Sequence, residues 1–140
     1  MSEPYSILQP VHTVEQTGVW TQRLILFLRI MASPSLLKGL YHWAVVCGIG
    51  DGADGTFESG PPPWQAATVF FAVIDLVAAV GLWLAAAWGG VVWLTACILM
   101  AAVEMFFPQI YGGRLWVVVL EMVLIASYLW LTVLSGRERY

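Results

Sequence analysis

The chain has 140 residues, 60% hydrophobic and 11% charged, with a formal net charge of -3 and a mean hydropathy of +0.80. Soluble domains carry about a quarter of their residues as charges, so the composition describes a single membrane domain. Six basic residues scattered along the chain supply no clustered Lys and Arg for phosphates, which excludes nucleic acid as a partner.

Residues 1–20 read as a polar tail. Met1 to Val19 is polar and proline-bearing, unlike the basic tip and apolar core of a secretory signal, so the tail is expected to be retained. The first apolar run spans 21–50, interrupted by Arg29 and by Ser33-Pro34-Ser35. Asp51 to Pro63 is glycine-rich and acidic and ends in Pro61-Pro62-Pro63, which favours a stiff extended spacer in water leading to Trp64. Its Asp51, Asp54 and Glu58 lack the calcium-loop pattern and read as a solvated acidic face.

The second run, 66–88, carries Ala72, Ala78, Ala79, Gly81 and Ala85, small residues that allow close helix approach and predict a central place for this helix. Gly89-Gly90 predicts a tight turn, 91–107 forms the third run, and Pro108 to Gly113 predicts a reversal into the fourth, 115–134. A helix rising 1.5 Å per residue needs about 20 residues to cross the hydrocarbon core. The expected fold is therefore all-α: a polytopic domain over 21–135 with four antiparallel transmembrane helices, followed by a short tail at 136–140. Arg23, Arg29, Arg137 and Arg139 flank the outer spans whereas the 51–64 link has no basic residue, which predicts both termini cytoplasmic, with Arg114 opposing. Trp20, Trp64, Trp88 and Trp116 fall near span ends and read as interfacial anchors.

Lys38, His42, Asp75, Glu104 and Glu121 lie inside these spans, where a charge costs about 2.5 to 3.5 kcal/mol and requires a partner or a task. Counted inward at 1.5 Å per residue, His42, Asp75 and Glu121 share a layer. Lys38 is one turn deeper than His42 on the same face, and Glu104 is about one turn from its helix end. Lys38 with Asp75 is the expected pair. Three acids against one central lysine leave a carboxyl to be protonated, to reach Arg114 or the interface, or to bind something else. The cluster is read first as an internal polar clasp, then as a contact with another protein, then as a proton or ion path.

No metal site is expected, because Glu-x-x-His, the mark of carboxylate metal bundles, is absent. Cys47 and Cys97 fall in different runs and read as buried thiols. Gly48-Ile49-Gly50 without the rest of a dinucleotide fingerprint is a helix end, and no nucleophile stands in a recognised setting, so the chain is not expected to be an enzyme. His12, alone in the tail, carries no signal.

The stretch from Ala72 to Leu84 with Trp88-Gly89, Glu104 and Phe107-Pro108, together with Lys38-Gly39-Leu40-Tyr41-His42-Trp43, is similar to small bacterial membrane-protein families of unknown function. The resemblance covers residues 20–135 and implies a four-helix inner-membrane protein, with no activity, substrate or cofactor to carry over. Function is then expected to be that of an accessory or scaffolding subunit of a larger membrane complex, an energy-converting one among the candidates, in contact with the bilayer and other integral membrane proteins. The alternative is a small homo-oligomeric transporter or proton relay using Lys38, His42, Asp75 and Glu121; the likeness of Gly39-Leu40-Tyr41 to Gly81-Leu82-Trp83 is too weak to mark an inverted repeat.

Overall fold

The computed structural model describes residues 18–50 and 57–138. The expectations for most of the polar tail with His12, for Asp51 and Asp54, and for Arg139 lie outside the described residues. Five helices run α1 (Val19–Val46), α2 (Pro62–Trp83), α3 (Ala87–Phe106), α4 (Pro108–Tyr111) and α5 (Leu115–Arg137), with a 3₁₀ turn at Phe57–Ser59 before α2. All but α4 are long and apolar enough to span a bilayer, and the described residues contain no strand.

The helix bounds depart from the hydropathy bounds for local reasons. The Pro61 spacer is shorter than expected, because Pro62 and Pro63 occupy the first helical positions of α2, where a missing N–H costs nothing. A Gln65 amide fastens the approach, donating to the carbonyls of Phe57, Glu58 and Gly60 at 3.1, 3.0 and 2.9 Å. Helix α2 ends at Trp83 rather than residue 88, and the chain reverses through Ala85, which adopts φ 51°. Gly89 and Gly90 therefore lie inside α3 and do not make the turn. A Cβ on Gly81 or Gly89 would collide with the other's backbone, so the pair marks a close approach of α2 and α3. Pro34 leaves α1 continuous.

The contacts of α1 with α2 and with α5 run in opposite chain directions. Between α1 and α2, Arg29 lies over Trp83 and Lys38 meets Asp75. Between α1 and α5, the Thr21 and Ser135 hydroxyls are 2.7 Å apart and Lys38 meets Glu121. Trp93 of α3 packs edge-on against Tyr128 of α5, with ring centroids 5.7 Å apart. The bundle thus has a terminal end, where α1 starts and α5 stops, and a loop end, where α4 lies.

The two halves differ in chemistry. Leu28, Ala32, Ala78, Leu82, Trp93 and Cys97 form a buried apolar core towards the terminal end. Ala72, Ala78, Ala79 and Gly81 on α2 are buried as expected of a central helix, whereas α5 buries only Glu121 and Ser135. Cys97 is in the core, but Cys47, expected to be buried, is exposed at the end of α1, because the helix stops at Val46.

Candidate functional site: a charged cleft in one half of the bundle

Close backbone approach brings the charges together. Gly39 packs against Leu76, where a Cβ would come within 2.8 Å of that side chain and 3.1 Å of its backbone nitrogen. The preceding residue on each helix is Lys38 and Asp75, and the Lys38 Nζ lies 3.6 Å from Asp75 Oδ1. The same ammonium lies 3.7 Å from Glu121 Oε1 on α5. One lysine from α1 is therefore shared by carboxylates from two other helices. The lysine side chain is 35% exposed, while those of Asp75 and Glu121 are 3% and 9% exposed. The second oxygens, Asp75 Oδ2 and Glu121 Oε2, are buried without a hydrogen-bond partner.

The remaining two sequence candidates take different surroundings. His42 is buried but is not part of the triad. It is stacked on Phe71 at 6.1 Å and lies 6.0 Å from the Tyr111 ring. Depth placed it beside Asp75 and Glu121, but with Lys38 set opposite Asp75, His42 lies one turn nearer the loop end on the same face, against Phe71 and Tyr111. Glu104 is buried, and its Oε2 accepts the backbone N–H of Arg114 at 2.8 Å, fixing the start of α5 to the end of α3. Reaching Arg114 was among the outcomes expected for a spare carboxyl, and Glu104 reaches its backbone N–H. No group of three His, Cys, Asp or Glu converges as a metal site among the described residues.

The sequence reading missed Tyr111 and Thr68. Their hydroxyls are 3.2 Å apart and tie α4 to α2, and burial pushes the Tyr111 phenol above its ordinary range, with the Thr68 hydrogen bond opposing. A tyrosine between Pro108 and Gly112 was the available signal: an aromatic hydroxyl in a turn that has to fold back onto the bundle.

A cavity of about 240 Å³ opens beside the triad at the loop end, lined by Lys38, His42, Trp64, Glu104, Tyr111 and Glu121 among others. A second, of about 290 Å³, shares Lys38, Val117 and Glu121 with the first and is lined also by Ser35, Asp75, Trp93, Cys97 and Trp116. Among the described residues the buried carboxylates Asp75, Glu104 and Glu121 lie towards the loop end of the apolar core.

These features define a small multi-pass α-helical membrane protein with a buried charge cluster in one half. The chain belongs to DUF6163, a family of unknown function whose family model matches residues 22–139. No curated protein and no solved structure matches the chain.

Proposed function

We propose that the protein is a non-catalytic, non-conducting accessory subunit of a larger bacterial inner-membrane assembly, with both termini cytoplasmic. The observation that carries this reading is the apolar cluster packed beyond the charged residues. A relay needs titratable or hydrated groups across the whole membrane, yet beyond Lys38, Asp75 and Glu121 the path meets Leu28, Leu82 and Trp93. Helix α5 adds support: with only Glu121 and Ser135 buried, it leaves an apolar surface for lipid or a neighbouring protein. In this reading the triad sets helix register, as buried polar contacts do where depth and partner must both match.

The test has two arms. Photo-crosslinkers at exposed Trp130 and Val133 of α5 should capture one integral membrane protein at stoichiometric yield, and capture should fail when the crosslinker moves to buried Ala78. Liposomes holding the purified protein alone should pass no protons under a pH gradient. A Glu121-dependent proton flux would overturn the proposal and favour the relay.

A further inference from the structure

The charges around the cleft do not balance. At its inner wall two carboxylates share one ammonium, Lys38 against Asp75 and Glu121. Towards the mouth, Glu104 takes a backbone N–H, and the Arg114 side chain is exposed. Lys38 and Arg114, which also lines the cavity, stand against Asp75, Glu104 and Glu121, two basic side chains to three acidic ones. The deficit is localised by geometry: Glu121 lines both cavities, its side chain is 9% exposed, and its Oε2 has no partner. A buried carboxylate oxygen in that condition calls for a positive group or a donor.

The walls narrow the chemistry. Tyr41, His42, Trp64 and Tyr111 line the cavity with rings, and ring faces attract cations carried on organic groups more readily than strongly hydrated ions. A multivalent ion would meet the Lys38 ammonium, which already lies within 3.7 Å of both carboxylates. A volume of about 240 Å³ admits only a small molecule. We propose that this cleft binds a small organic ammonium ion, its charge on Glu121 and its carbon groups against Tyr111 and Trp64. The ammonium comes either from a free amine or from an amine-bearing lipid headgroup. This inference goes beyond the subunit reading and does not depend on it.

The experiment uses the purified full chain in nanodiscs. Ethylammonium, ethanolamine and tetramethylammonium chlorides are compared with sodium chloride at equal ionic strength and with propanol as a neutral isostere, by thermal unfolding and tryptophan fluorescence. At least one ammonium probe should stabilise the protein saturably where sodium and propanol do not. Glu121→Gln should weaken that binding by about tenfold or more, the worth of a charged hydrogen bond. Trp64→Leu, at the start of α2 and away from the triad, should weaken it by about threefold, and provides the readout if Glu121→Gln does not fold. Lys38→Met should tighten it by removing a competing ammonium. Competition by ethanolamine-headed lipid, absent in glycerol-headed discs, would identify the lipid as the source, and equal affinity in both discs the free amine; either supports the site. No stabilisation by any ammonium, an equal effect of sodium, or unchanged affinity in the folded variants would overturn it.

Discussion

Sharing one lysine between two carboxylates makes the triad respond asymmetrically to neutralisation. Lys38→Met leaves Asp75 and Glu121 both buried without a counter-ion, whereas Asp75→Asn leaves a one-to-one Lys38–Glu121 pair at 3.7 Å. At 3.6 Å and an effective dielectric constant of about 20, each pair is worth about 4 to 5 kcal/mol of Coulomb energy. The 35% exposure of the lysine side chain returns part of that to solvent. Removing one partner of a buried pair costs about 3 to 5 kcal/mol, so after this discount Lys38→Met should cost about 2 to 4 kcal/mol. Asp75→Asn should cost less than about 1 kcal/mol, since it also removes the burial of a carboxylate whose Oδ2 has no partner. The double change leaves Glu121 alone and should fall between the two. Reversible unfolding in mixed micelles, monitored by tryptophan fluorescence, gives the three values at one pH. Equal losses for Lys38→Met and Asp75→Asn would refute the shared-ammonium account and leave a simple Lys38–Asp75 pair.

Gly89→Ala should sharply reduce folded yield, by more than about 2 kcal/mol, because the added Cβ meets the Gly81 backbone rather than a movable side chain; size-exclusion recovery reads this. Glu104→Gln should cost about 1 to 2 kcal/mol, as the charged acceptor of the Arg114 N–H becomes neutral, and hydrogen exchange should speed up at the start of α5. Tyr111→Phe should cost less than about 1 kcal/mol through the single partly buried hydroxyl contact with Thr68, measurable as a small fall in unfolding midpoint. Exposed Cys47 should react with a membrane-impermeant maleimide added outside intact cells while buried Cys97 stays unlabelled; protection of Cys47 until the membrane is permeabilised would reverse the proposed orientation.

Four spans were legible because apolar runs of bilayer length are a strong one-dimensional signal, and the Lys38–Asp75 contact because two mid-span charges of opposite sign have few other places to go. What the sequence withheld is register and packing order. Depth put His42 level with Asp75 and Glu121, but the register of α1 on α2 sets Lys38 opposite Asp75, so that His42, one turn along the same face, falls opposite Phe71 and beside Tyr111. That α1 touches both α2 and α5, so that Lys38 serves two acids, is likewise a matter of packing order around the bundle. Gly89-Gly90 failed as a turn signal because glycine marks both chain reversal and close approach, and the reversal falls instead on Ala85, a residue that seldom adopts a positive φ. Pro62 and Pro63 were ambiguous in the same way, serving an extended spacer or a helix start equally well.

At the terminal end, Glu138 at the close of α5 accepts the backbone N–H groups of Trp20 and Thr21 at 2.9 and 3.2 Å, while Gly18 before α1 supplies no side-chain cap of its own. The first turn of α1 is therefore completed by a residue 118 positions further along the chain than Trp20. During synthesis α1 enters the bilayer with its leading amides dependent on water or headgroups, and they acquire a carboxylate only once α5 has been inserted and turned to meet it. Docking of the start of α1 is thus completed only when Glu138 arrives, and without that carboxylate the first turn of α1 would fray.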